Sequence, residues 1–120
     1  MRNNRTAGHN YERLIVRELQ KLGFDVVTAR AESRNMDNKG VDIFSPFDCS
    51  PEKNFPFYIQ CKNYKDNPKY DVLLTDSNLP EGKPTLVFHR KSKKAKSKFV
   101  TQGDFVIIKK EDFYNLITKK

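Results

Sequence analysis

This 120-residue chain predicts an α/β fold, a mixed central β-sheet flanked by helices. Three observations predict it. A helical-period apolar stripe opens the chain, several apolar runs of strand length follow, and a second helical pattern closes it. The resulting order, α-β-β-β-(α)-β-β-α, suits a sheet with helices packed against it. The length fits one domain over residues 1–120, with one core and no room for two.

A polar, basic arm over residues 1–7 is expected to be flexible. Tyr11, Leu14, Ile15, Leu19 and Leu22 then recur at helical spacing, with Lys21 in the last turn and Gly23 placed as a left-handed cap. Phe24, Val26 and Val27 start a strand expected to run to residue 30. Residues 31–40 are polar and turn-forming. Residues 41–45 read as a short strand, 46–56 as a loop and 57–62 as a third strand, so 41–62 form a hairpin with a long loop. Pro68, Pro80 and Pro84 bracket a stretch with Tyr70, Val72, Leu73 and Leu74 that holds one short helix. Strands are expected at 85–89 and 105–108, joined by a highly basic hairpin loop at 90–98. A final helix covers 111–117 with Phe113, Leu116 and Ile117 on its apolar side.

Lys and Arg number 23 against 15 Asp and Glu, a formal net charge of +8. So basic a balance favours a polyanionic partner, of which nucleic acid is the commonest. An anionic membrane surface is the rival, but no basic amphipathic helix with a strong apolar face is visible. No apolar run approaches the roughly 20 residues that span a bilayer, and Met1-Arg2-Asn3-Asn4-Arg5 leads into no signal-like stretch. A cytoplasmic protein is expected, in a host cell if phage-encoded. Cys49 and Cys61 form neither a CxxC pair nor a zinc set, so reduced thiols are expected.

The chemistry concentrates in Gly40-Val41-Asp42 and Ile59-Gln60-Cys61-Lys62. Residues two apart in a strand share a face, so Gln60 and Lys62 project together with Tyr58, and Phe57, Ile59 and Cys61 project to the other side. A neighbouring strand can bring Asp42 beside them. A carboxylate and an amide oxygen are hard ligands suited to Mg²⁺, with the backbone carbonyl of Cys61 as a further donor. Lys62 then supplies a cation for charge that develops on a phosphodiester. Glu12, on the first helix, is positioned to complete the set. Taken singly, each residue has an ordinary reading: a solvated strand face, a turn acid, one more charge on a wet helix. The joint arrangement in a small basic protein favours a site. His9 lies one turn ahead of Glu12, and His89 ends a strand.

These motifs resemble the PD-(D/E)xK nuclease superfamily, in which an acid opens one strand and acid-x-Lys lies on the next. Gly40-Val41-Asp42 with Ile59-Gln60-Cys61-Lys62-Asn63-Tyr64 is similar to Mrr-type restriction endonucleases, which often place Gln before x-Lys. Gly8 through Glu12-Arg13 and Leu22-Gly23-Phe24-Asp25-Val26-Val27 resemble the opening of archaeal-type Holliday junction resolvases. The resemblance covers residues 8–64. It implies a restriction-endonuclease-like core with an αβββαβ arrangement and a Mg²⁺ cofactor, with Mn²⁺ as substitute. Asp42 would be the central metal ligand, Gln60 the second, Lys62 the catalytic lysine, and Glu12 a contact to the metal or its water. The resolvase arginine position reads as Thr28, with Arg30 on the same strand face, and Ser33 stands near the catalytic serine's place. Gln60 leaves the site less negative than in most relatives.

The remaining charge offers sequence-independent phosphate contacts: Arg5, Arg13, Arg30 and Arg34, and Lys91, Lys93, Lys94 and Lys96 in the basic link. No helix-turn-helix or zinc finger is visible. The expected activity is therefore a Mg²⁺-dependent, structure-selective DNA endonuclease of recombination and repair, a Holliday junction resolvase acting on branched DNA as a homodimer. The alternatives are a non-catalytic DNA-binding module on a degenerate nuclease fold, and an Mrr-like nuclease acting on linear or modified DNA.

Overall fold

The computed structural model describes residues 4–64, 66–96 and 98–118. In chain order its elements are α1 (Asn4–Lys21), β1 (Val27–Thr28), α2 (Ala29–Glu32), α3 (Arg34–Asn38), β2 (Ile43–Phe44), β3 (Tyr58–Tyr64), α4 (Tyr70–Thr75), β4 (Thr85–Ala95), β5 (Lys98–Ile107) and α5 (Lys110–Thr118). A 3-10 turn at Pro51–Lys53 interrupts the β2–β3 connection. The strands form one sheet in the order β1-β2-β3-β4-β5. Only β3 and β4 run parallel; the other neighbours are antiparallel, so the sheet is mixed. A parallel pair needs a long crossover, and the α4 segment provides it.

Tyr11, Ile15 and Leu19 recur at every fourth position and bury one face of α1 against Ile59 of β3 and Phe57 just before it, with Val26, Ile43, Phe55 and Leu86 completing this core. The helix stops at Gly23, whose φ of +101° is the left-handed conformation of a C-terminal cap; the Phe24 N–H donates back to the Leu19 carbonyl at 3.0 Å. On the opposite side of the sheet Ala29, Met36, Val41, Phe44 and Tyr58 form a second, smaller core, where the chain length predicts a single one, because the short helices α2 and α3 cover that face. The alternation expected along β3 is therefore present, with Ile59 toward one core and Tyr58 toward the other.

Several expected boundaries are corrected. The first strand, expected over 24–30, contains only Val27–Thr28. The Asp25 N–H bonds the Lys53 carbonyl, and the chain turns helical at Ala29, whose N–H reaches the Asp42 carbonyl at 2.8 Å. Arg30 therefore sits on α2 and does not share a strand face with Thr28. The expected turn at 31–40 holds the end of α2 and all of α3, because Ala29 and Met36 bury as helical residues. The second strand is shorter than 41–45, with Asp42 just outside the ladder. Among the described residues of 90–98, 90–95 and 98 are strand and not loop. They are the arms of a long hairpin that turns at Lys96, where φ is +58°. Lys91–Ala95 pair with residues 98–103 of β5, so backbone pairing rather than an apolar pattern defines this part of the strand. Helix α1 starts at Asn4, inside the arm expected to be flexible, while residues 1–3 lie outside the described residues. Among the described residues no helix is long and apolar enough to cross a membrane.

Candidate active site

Asp42 is held from three directions. Its N–H donates to the Ile59 carbonyl at 2.8 Å and its carbonyl accepts from Ala29, so β3 and the start of α2 fix its backbone. Its side chain turns back to β3, where Oδ2 accepts the Cys61 N–H at 2.7 Å. The N–H and C=O of one strand residue point to the same edge, so the Cys61 carbonyl is aimed at the strip that holds the Asp42 carboxylate. Burial raises the Asp42 pKa, and the Cys61 N–H and Lys62 hold it back.

Glu12 reaches the same place from α1. It is only 8% exposed, and burial together with the Asp42 charge lifts its pKa from 4.5 to about 7. Arg30 opposes that rise through an ion pair, its Nη1 3.4 Å from Glu12 Oε2. Two acids that repel one another in a partly dry site are poised for a cation. Gln60, 4% exposed, adds a neutral donor: its Oε1 is buried and has no hydrogen-bond partner among the described residues. Its amide packs beside Gly40, where a Cβ would meet Nε2 at 3.4 Å; φ there is +86°, and the turn leads directly into Asp42. A buried acceptor without a donor costs about 1–3 kcal/mol, and a bound cation would remove that cost.

Lys62 lies on the Gln60 side of β3, close enough to lower the Asp42 pKa and 5.8 Å from the Tyr64 ring centroid. The Cys61 thiol is pushed well above its usual range by burial and by the Asp42 and Glu12 charges. It stays protonated, which leaves the backbone carbonyl as the donor that Cys61 can offer.

Ser33 lies between α2 and α3. Its Oγ accepts the Met36 N–H at 3.2 Å as the N-cap of α3, a structural task the sequence reading did not assign. Of the expected phosphate contacts, Arg13 and Arg34 are exposed, Arg30 faces Glu12, and Lys96 occupies the hairpin turn. Lys91 Nζ donates to Asn67 Oδ1 at 3.0 Å. The side chains of Arg5, Lys93 and Lys94 lie outside the described residues. Arg90, read as part of the basic link, instead pairs with Asp104 through two bonds of 2.8 and 2.9 Å and lies 4.9 Å from the Tyr11 ring centroid. Strand alternation could have found this, since Arg90 shares the face of Phe88, which packs on α1. His89 is buried, with Nε2 3.2 Å from the Tyr64 carbonyl.

Among the described residues no group of three or more His, Cys, Asp and Glu side chains could hold a metal ion. The oxygens on offer are of another composition: two carboxylates within electrostatic reach of each other (Glu12, Asp42), the backbone carbonyl of Cys61, whose N–H Asp42 accepts, and the unpartnered amide oxygen of Gln60 on the same strand. All are hard oxygens, which fits Mg²⁺ or Mn²⁺ and not zinc. No family model, curated protein or solved structure matches the chain.

The carboxylate pair makes a prediction about stability. Because the folded Glu12 pKa lies above 4.5, its protonated form stabilises the metal-free fold fully below about that pH, and the contribution is lost as pH rises through about 7. Glu12→Gln, which mimics the protonated carboxyl, should stabilise the metal-free protein at pH 8 by roughly 3 kcal/mol, at about 1.4 kcal/mol per pKa unit, since the rise from 4.5 to about 7 is already net of the Arg30 pair. The gap should close below pH 4.5. Urea unfolding of both proteins at pH 4.5, 6 and 8 measures it, and a gap independent of pH would contradict it.

Proposed function

We propose that this protein is a divalent-metal-dependent DNA endonuclease with a restriction-endonuclease-like core, acting on branched DNA such as a four-way junction. One observation carries the reading. Glu12, Asp42 and Lys62 come within electrostatic reach, and the strand that bears Lys62 also bears a buried Gln60 oxygen without a partner. A purely structural pair of buried acids would instead be expected to hold a full set of hydrogen-bond donors.

In this reading Asp42, Gln60 Oε1 and the Cys61 carbonyl would hold the cation, and Asp42 is pre-positioned by its bond to Cys61 N–H. When bound, a divalent ion supplies Lewis acidity and eases deprotonation of a nearby water. Glu12 orients the attacking water and accepts its proton at a carboxylate oxygen, a role suited to a group held near neutrality. Lys62 places its ammonium against the phosphate oxygens as negative charge builds there. Arg30, beside Glu12, and Lys91, in the row of Tyr64, would offer further cations to the phosphates. Symmetric cutting of two strands calls for a two-fold dimer. The exposed Phe113, Leu116 and Ile117 of α5 offer apolar surface for it.

Gln60 gives the proposal its test. With two carboxylates instead of three, DNA phosphate should be needed to complete the metal shell. Mg²⁺ should bind the protein–junction complex at least about tenfold more tightly than the protein alone, and Gln60→Glu should narrow that difference by strengthening binding to the free protein. Calorimetric titration of Mg²⁺ with and without a four-way junction, in a Lys62→Ala background that limits scission, measures this. Equal affinities in the two cases would contradict it.

A further inference from the structure

β3, β4 and β5 run side by side past the candidate site, and their register fixes which residues share a face. Lys62 pairs with His89 and His89 with Phe105; in the next row Tyr64 pairs with Lys91 and Lys91 with Gly103. Alternate residues of a strand share a face, so all six lie on the face that carries Gln60 and Lys62. Two of them are exposed aromatic rings, Tyr64 at 45% and Phe105 at 52%. Neither belongs to the two cores.

The Phe105 ring lies back over Gly103. A Cβ at that glycine would come within 3.1 Å of the ring, and φ there is +146°. The glycine thus lets the ring settle onto the sheet, with its other side toward solvent. In the adjacent row Tyr64 stands 5.8 Å from Lys62 Nζ and 6.4 Å from the His89 ring, and Lys91 Nζ is tied to Asn67. His89 is buried between the strands bearing the two rings. The patch therefore combines two exposed rings with two ammonium groups and is continuous with Lys62, in a chain of net charge +8.

We propose that this face holds an unstacked DNA base next to the cleaved phosphate, with Tyr64 and Phe105 as the stacking surfaces and Lys62 and Lys91 on the flanking phosphates. The inference rests on the nuclease reading and adds the source of its substrate choice. Aromatic surfaces on a basic sheet bind bases without regard to sequence, at about 1–3 kcal/mol per base. A base inside intact duplex must first be extruded, which costs a few kcal/mol, whereas a branch point or single strand offers one at little cost. Such a face selects branched over linear DNA with no element that reads sequence.

The test uses the whole chain in EDTA, so that binding is read without scission. The probes are a four-way junction carrying 2-aminopurine at the branch point and a linear duplex of matched sequence. Tyr64→Leu and Phe105→Leu should each weaken junction binding about tenfold, abolish the 2-aminopurine change and alter duplex binding less than about twofold. Tyr64→Phe and Phe105→Tyr keep a ring, report on folding, and should bind as the parent protein does. Leucine variants that bind the junction normally, or that lose junction and duplex equally, would overturn the proposal. So would a change in oligomeric state, since a second copy would then be the occupant of this face. If the parent protein still cuts junctions in Mg²⁺ in those cases, only the stacking face falls. If it neither binds nor cuts DNA, the nuclease reading falls with it.

Discussion

Asp42→Asn should abolish DNA cleavage, by about 10³-fold or more, while junction binding in EDTA stays within a few-fold of the parent protein. The magnitude follows from removing charge at the point where charge develops in the transition state, where loss of a single well-placed group typically costs 10²–10³-fold. The asparagine side-chain oxygen can still accept the Cys61 N–H that Asp42 Oδ2 accepts at 2.7 Å. The Asp42 backbone bonds to Ile59 and Ala29 do not depend on the side chain at all. The fold should survive, and removing one of two repelling acids should make the metal-free protein slightly more stable. Lys62→Ala should reduce cleavage about 10²-fold by the same reasoning, with a smaller effect on folding because Lys62 is only partly buried. Single-turnover cleavage and EDTA binding, measured on the same preparations, separate chemistry from affinity. A variant that loses binding as steeply as cleavage would show Asp42 to be part of the binding surface alone.

Ile59→Ala should be the most damaging single substitution for stability, at about 2–5 kcal/mol. Ile59 is fully buried where α1, β2 and β4 meet β3, in contact with the core that holds Tyr11, Ile15, Leu19, Ile43 and Leu86. Its carbonyl also accepts the Asp42 N–H, and it pairs with Ile43 and Leu86 across the sheet. A cavity at this point lies between Glu12 and the strand bearing Gln60 and Lys62, so metal affinity should fall together with stability. For a domain of this length the melting temperature should drop by about 10 °C or more. Thermal unfolding checks it. A loss below about 1 kcal/mol would show that the site collapses onto the missing atoms, and the account of how the core positions the acids would need revision.

The parts of this molecule that were legible in its sequence are those governed by period. The α1 stripe, the Gly23 stop and the alternation of β3 each follow from side-chain geometry alone, and they put Glu12 on the helix that packs on β3 and Lys62 on β3 itself. The convergence of Glu12 with Asp42 was legible for the same reason, because a helix packed on β3 must bring one turn near its middle. What escaped was set by tertiary contact. Residues 29–38 are polar enough to read as turn, yet Ala29 and Met36 bury and Ser33 caps α3, so the segment winds into two short helices. The lysines of β4 mask a strand whose pairing with β5 does not require an apolar face. Arg90 finds Asp104 fourteen positions later and Tyr11 on another element, which no local pattern announces. The buried Gln60 oxygen without a partner has no sequence signature beyond the residue itself.

The central claim is that Glu12, Asp42, Gln60, the Cys61 carbonyl and Lys62 form a metal-dependent site that cuts branched DNA. Single-turnover strand scission of a four-way junction, run beside a matched linear duplex in Mg²⁺ and in Mn²⁺, tests it most directly. The expected result is scission of the junction near its branch point, much slower scission of the duplex, and none with EDTA or with Asp42→Asn. Junction binding without scission in either metal, or scission that survives Asp42→Asn, would contradict it.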